Sequence, residues 1–239
     1  MQAPYPHRRR RLIRRGLMAL ALAATSALAW QWWTRHWLPD ARQWPIQGVA
    51  VGPDNGPISW PSLATQNVRF AYVDATHGAT VANAHFSQDH DAATAANIRS
   101  GAVHHFDLCA AVGDQAAAFV RLVPREQQAL PTLVMLDIDD GCTRQPTRAL
   151  LLSELTTFLT QIETHMGKPA VIAPSADFEA RFDVARAINR PILVTAIRSE
   201  PDADGPPWVL WLANDRLRVE GSTGPTNWLV LNDASGGVE

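Results

Sequence analysis

Apolar and polar positions divide the chain into an uncharged run, a short mixed stretch and a long alternating body. From Gly16 to Trp33 no residue carries a charge. A spanning helix needs ~20 apolar residues, with ~17 as the lower limit, so 16–33 reads as a transmembrane signal anchor. Residues 34–45 form a tether. From Ile46 onward, short apolar runs alternate with amphipathic stretches. Ile46 to Val51 is apolar and ends in the turn cluster Gly52-Pro53-Asp54-Asn55-Gly56. Val68 to Ala75, Ala102 to Phe106 and Leu133 to Ile138 predict strands, and residues 84–98 and 113–123 predict helices. Leu151, Leu152, Leu155, Phe158, Leu159, Ile162 and Met166 recur at helical spacing, with Gly167 as the stop. Ala170 to Ala173 and Pro191 to Ala196 are further strands. After the Pro/Gly-rich loop Glu200 to Pro207 the pattern is strand-only, at 208–213, 217–219 and 228–231. Strands alternating with helices predict an α/β domain with a mainly parallel sheet. The strand-only end makes this a single irregular (β/α) barrel over 46–239, preceded by a transmembrane helix.

Charge changes the picture only at the N-terminus. The chain has 239 residues, 46% hydrophobic and 18% charged, enough to bury a core and too apolar for disorder. Its net charge of −2 conceals an asymmetry, because Arg8 to Arg11, Arg14 and Arg15 crowd residues 1–15 while the body is acidic. An acidic body does not read as a nucleic-acid binder. Arginines ahead of an apolar run instead stay cytoplasmic under the positive-inside rule. Trp30, Trp32, Trp33 and Trp37 then stand where an aromatic belt meets the far interface. This topology puts the barrel outside the cytoplasm, tethered to the membrane by residues 16–33. The alternative is a cleaved signal peptide, because Ala27-Leu28-Ala29 is an A-x-A site; both readings export the body.

Sites in such folds lie at the carboxyl ends of strands. Those ends present Ala50 and Asp54, then Asp74, Thr76 and His77, then His104 and His105, then Asp137, Asp139 and Asp140, and last Trp211, Asn214 and Asn227. Asp137 and Asp139 share a face by the strand's period of two. Two close carboxylates repel, which raises one pKa and yields an acid and a base at one pH. A helix-capping acid beside a solvated loop acid is the competing account. His104 with both aspartates would also offer metal ligands, but no H-E-x-x-H spacing accompanies them, and no cofactor or metal is expected.

Seven segments in order resemble glycoside hydrolase family 25, the muramidases that cut the glycan strands of peptidoglycan. They are Gly48-Val49-Ala50-Val51-Gly52, Ile58-Ser59-Trp60, Phe70 to Gly78, Gly101 to His105, Leu136-Asp137-Ile138-Asp139, Trp211-Leu212-Ala213 and Gly224 to Val230. The corresponding family motifs run roughly G-V-D-V-S, I-D-W, F-A-Y-I-K-A-T-E-G, G-x-Y-H-F, L-D-I-E, W-Q-Y and G-x-V-D-L-N-V. The resemblance implies peptidoglycan glycan as partner, Asp139 as general acid and Asp137 beside it. It also implies a substrate-binding set of Tyr72, His104, Trp211, Asn227 and Ala50. A proteobacterial-type branch carries cysteines where Cys109 and Cys142 stand, which implies a disulfide; two free buried cysteines are the alternative.

Departures from the family pattern concentrate where the family does its chemistry. The opening-strand Asp is Ala50, the Glu of L-D-I-E is Asp139, and the late Asp is Asn227. Asp139 is one methylene short, and a misplacement of ~1 Å can cost ~100-fold. Ala173, Leu212 and Ala213 replace a Tyr, a Gln and a Tyr. The expectation is a muramidase-type domain with weak or lost hydrolysis, or a silent relative that binds peptidoglycan or an envelope protein. Trp211 is the candidate sugar platform, and Trp60 and Trp228 are expected in the core.

Overall fold

The computed structural model describes residues 6–139 and 141–233, with side chains from residue 11 onward. The chain opens with α1 (Pro6–His36), a helix whose stretch Arg11–His36 is long and apolar enough to cross a membrane by length and composition. It runs beyond the 16–33 stretch at both ends. The body follows as β1 (Gln47–Val51), a 3₁₀ turn (Pro53–Asn55), α2 (Trp60–Thr65), β2 (Phe70–His77), β3 (Val81–Ala82), α3 (Phe86–Ala95) and β4 (Arg99–Phe106). Then come α4 (Val112–Leu122), β5 (Leu133–Leu136), α5 (Arg148–Met166), β6 (Val171–Pro174), α6 (Ala176–Phe182), α7 (Val184–Ala187), β7 (Leu193–Thr195), β8 (Leu210–Leu217) and β9 (Thr226–Leu231).

The strands form one sheet in the order β6-β5-β4-β2-β1-β9-β8-β7, with β3 pairing β2 beside it. β1, β2, β4, β5 and β6 run parallel, and β9 runs antiparallel between β1 and β8. A bridge between Ile172 and Ile192 brings the two edges together, so the sheet curls into a nearly closed, irregular barrel. The segment read as two late strands is one, because register shifts at Leu212/Asn214 and Asn214/Leu217 carry β8 through to Leu217. The helices α2, α6 and α7 are too short to show helical periodicity in the sequence.

Alternation along the strands builds two apolar layers. Inward side chains such as Phe70, Tyr72, Val103, Leu133, Leu210 and Leu229 line the barrel. Outward ones such as Val49, Val73, Phe106, Val134 and Leu136 meet Phe119, Leu155, Phe158 and Ile162 of the surrounding helices. The helix α5 is where sequence periodicity matches burial best: Leu151, Leu155, Phe158, Leu159, Ile162 and Met166 are all buried. Its N-cap Thr147 accepts from Leu150 N–H, and Gly167 closes it at φ 74°, a left-handed conformation that favours glycine.

The end of α1 is joined to the barrel. Asn214, fully buried, donates from Nδ2 to Thr34 O and Trp37 O, both at 2.9 Å. Its Oδ1 accepts from Arg216 N at 2.9 Å. Trp37 packs on Trp211 at 6.4 Å between ring centroids, and Trp44 packs on Trp211 at 5.8 Å. Trp37 therefore belongs to the barrel's outer layer rather than to an aromatic belt, whereas Trp30 and Trp32 are exposed.

Candidate active-site cleft

The carboxyl ends of β1, β2, β4 and β5 and the start of β9 enclose a cavity of about 300 Å³. Ala50, Val103, Leu133 and Met135 give it an apolar floor, while Asp54, Asp74, His105 and Asn227 supply its polar wall. Ala50 and Asn227 face each other across the β1–β9 pairing. The 3₁₀ turn carries Asp54 back to this cavity, with Asn55 bonded through Oδ1 to Gly52 N and through Nδ2 to Pro225 O. So Asp54 reaches the wall beside Ala50 although it stands four residues on in sequence.

Asp74 and His105 form the central polar pair, with Oδ1 and Nε2 3.3 Å apart. The absence of a side chain at Gly52 makes this placement feasible, since a Cβ there would overlap the Asp74 carboxylate. The His77 ring lies 5.6 Å from that of His105. Burial acts to lower the His105 pKa, but the hydrogen bond and charge of Asp74, with the charge of Asp137, outweigh it and leave the pKa above the usual histidine value. The stabilisation from this pair is present below the unfolded-state pKa and is lost as pH rises through the folded one. Asp74→Asn should therefore bring the His105 titration, followed by NMR, below that of the wild type. An unchanged midpoint would show that Asp74 does not set the charge of His105.

Asp137 and Asp139 follow β5, and both are exposed. The charge of Asp137 reaches His105. Asp139 is turned into its own loop, where Oδ1 accepts from Gly141 N at 2.8 Å and its carbonyl accepts from Cys142 N at 3.0 Å. Asp140 lies outside the described residues. Cys109 and Cys142 form a disulfide between the loops after β4 and β5, with Cα atoms 5.7 Å apart. Asp107 stands close to both sulfurs, the one such His/Cys/Asp/Glu grouping among the described residues. The bond between the sulfurs leaves no thiolate there for a metal.

Three expected site residues lie elsewhere. His104 is on the outer face of β4, fully buried against Phe158 at 4.6 Å between centroids, and does not line the cleft. Its neighbour His105 is the histidine in the cleft, because adjacent strand residues point to opposite sides. Tyr72 points into the barrel but lines a cavity at the opposite end. Trp211 faces outward, fully buried among Trp37, Trp44 and Trp208, and donates from Nε1 to Ala196 O at 2.8 Å. With both faces covered, it packs the core and offers no stacking platform. Trp60 and Trp228 are core residues as expected, bonded through Nε1 to Asp89 and Gln47.

A profile described as glycosyl hydrolases family 25 matches residues 51–221. The chain belongs to glycosyl hydrolase family 25. Its body also superposes on a family 25 glycosyl hydrolase from Bacillus anthracis with a TM-score of 0.75 and 25% identity, covering 84% of this chain and 95% of that one. A bacterial lysozyme from Streptomyces coelicolor superposes with a TM-score of 0.70 and 22% identity, covering 78% and 92%. The protein YegX of Escherichia coli (strain K12) is 26% identical over 194 residues, 78% of this chain and 70% of YegX. The matched family stretch contains Asp74, His105, Asp137 and Asp139, while Ala50 and Asn227 lie just outside it. Motif matching favoured His104 because it occupies the family's histidine position. The strand's alternation carries the missing signal: of two adjacent histidines only one can face the cleft.

Proposed function

We propose that this family 25 protein is a cell-envelope, muramidase-type domain that takes peptidoglycan glycan strands in the cleft and hydrolyses them weakly or not at all. One observation carries the reading: a cleft lies at the carboxyl ends of the barrel strands, yet its floor is apolar at Ala50 and the Asp139 carboxylate caps its own turn. Glycoside hydrolysis needs one carboxyl group to protonate the leaving oxygen and a second group to stabilise the oxocarbenium-like centre. Asp74 and Asp54 line the cavity, Asp137 lies near enough for its charge to reach His105, and His105 holds a proton more readily than a free histidine. These groups suit hydrogen bonding to hydroxyl and acetamido groups. On the β1 side the carboxylate comes from Asp54 in the turn after the strand, while the strand itself offers only Ala50.

The exported location rests on the apolar run 16–33 as an inner-membrane anchor, with the barrel in the periplasm. The Cys109–Cys142 disulfide supports an oxidising compartment.

The test uses the full-length protein in lipid nanodiscs with purified peptidoglycan sacculi. We expect co-sedimentation with sacculi and few or no new muramic-acid reducing ends by mass spectrometry. Abundant reducing ends that vanish in Asp137→Asn or Asp139→Asn would overturn the weak-hydrolysis reading. Neither binding nor products would overturn the glycan reading.

A further inference from the structure

The barrel has a second cavity at the end remote from the cleft, where β2 and β4 begin. It measures about 420 Å³, within the ~300–1,000 Å³ of small-molecule sites. Ile46, Phe70, Leu130, Leu210 and Leu231 make its wall apolar. Its polar lining is of a different kind. Arg69 and Arg99, both exposed, stand side by side at its outer end, Arg99 pairing in register with Phe70. Neither guanidinium has an ion-pair partner among the described residues, whereas Arg144, Arg148, Arg190 and Arg198 each hold a carboxylate. Lys168 lies near enough to Arg99 for their charges to repel, which adds to the positive potential of this end.

The inner wall holds Tyr72, 1% exposed, whose hydroxyl has no hydrogen-bond partner among the described residues. A buried hydroxyl left unpaired costs ~1–3 kcal/mol, so such groups are rare and call for an explanation. Burial also pushes its pKa upward, so the phenol remains a neutral donor. Leu130 and Tyr72 meet across Gly101, where any side chain would press on the Tyr72 ring and on Leu130. The glycine therefore leaves room at the cavity wall.

An apolar chamber, one orphaned donor within it and two uncommitted guanidiniums at its rim together define an amphiphile's site. We propose that this cavity binds a single-chain fatty-acid-type ligand, with its acyl chain in the barrel and its carboxylate between Arg69 and Arg99. The Tyr72 hydroxyl donates to the same head group. A neutral or cationic head would leave the two arginines unanswered, and a head alone would leave the chamber walls bare. The site is independent of the glycan cleft, so its fate does not depend on whether the cleft hydrolyses anything.

The test is photo-crosslinking of the full-length protein in nanodiscs with a twelve-carbon fatty acid bearing a diazirine near its methyl end. Mass spectrometry maps the adducts. We expect adducts on peptides containing Ile46, Tyr72 or Leu130, and suppression by excess laurate but not by dodecyltrimethylammonium. Arg69→Glu/Arg99→Glu should reduce these adducts at least about tenfold, since both charge-assisted contacts are reversed. Leu130→Trp, which fills the chamber, should abolish them while leaving the thermal midpoint near that of the wild type. Tyr72→Phe should reduce them several-fold without moving where they fall. In a parallel arm the diazirine sits on one chain of an anionic phospholipid in the nanodisc. Adducts in the cavity from that arm alone would replace the fatty acid by a membrane lipid and overturn the single-chain assignment. Adducts confined to residues 16–33, or unchanged in the charge-reversed and filled variants, would overturn the site.

Discussion

Adding the two carboxylates that the family motifs carry at positions 50 and 227 and lengthening the third, by Ala50→Asp, Asn227→Asp and Asp139→Glu together, is expected to raise muramidase turnover by about 10²–10⁴-fold. Reducing-end release from purified peptidoglycan is the measurement. Ala50 and Asn227 face each other at the cleft and both line its cavity, so new carboxylates there enter the space a sugar would fill. The extra methylene introduced by Asp139→Glu carries the carboxyl about 1.5 Å farther, past the turn in which Asp139 bonds Gly141 N–H. Added beside Asp54, Asp74 and Asp137, the new charges repel, and the most desolvated of them takes up the proton a general acid needs. Ala50→Asn is the control, equal in size but unable to ionise. A triple variant that folds, binds sacculi and still releases no reducing ends would show that the cleft's backbone geometry, and not its missing acids, blocks the chemistry.

Acid is expected to destabilise this protein through His104, by on the order of 4–5 kcal/mol between pH 6.5 and pH 3. His104 is fully buried, and burial pushes its pKa down to about 3, against the weaker upward pull of the Gln115 hydrogen bond and with further lowering by His105 and His77. The unfolded chain binds this proton near pH 6.5 and the folded one only near pH 3. Stability therefore rises with pH across that window and falls as the pH is lowered. The hydrogen bonds explain why the neutral ring fits. Gln115 donates from Nε2 to Asp107 O at 2.9 Å and to Ala110 O at 3.1 Å, which turns its Oε1 toward His104. That oxygen accepts from His104 Nε2 at 3.3 Å, leaving Nδ1 to accept from the Thr76 hydroxyl at 2.7 Å. Urea unfolding at pH 7, 5.5 and 4 measures the slope. His104→Gln should flatten it while lowering stability at pH 7. The same slope in wild type and variant would place the acid sensitivity elsewhere. His105 works in the opposite sense, its raised pKa favouring the folded state below the unfolded value, but it is about one-third exposed and solvent screens much of that gain.

The two adjacent histidines show where sequence reading stops. Their order along β4 says that one faces in and the other out, but only the sheet's curvature says which side is in. The same holds for Tyr72, which shares a family motif with Asp74 two residues on. Both point into the barrel, yet Asp74 reaches the cleft and Tyr72 the opposite cavity, because two residues of strand span roughly 7 Å of barrel height. Trp211 sits in a motif beside the family's cleft, and only packing reveals that the tether's own Trp37 and Trp44 cover it.

The sequence by itself determined the α/β alternation, the uncharged run 16–33, the apolar spacing of α5 and the resemblance to the family. These are local or ordered properties, written in period, composition and motif succession. Tertiary structure decided which polar groups meet: Asp74 with His105, Asp54 with the β1 side of the cleft, the two cysteines with each other, and Asn214 with the end of α1. It also decided that a barrel this irregular keeps a chamber at its far end, with the Tyr72 hydroxyl unpaired among the described residues. Such meetings depend on sheet closure and side-chain direction across distant strands, and no single segment of chain encodes either.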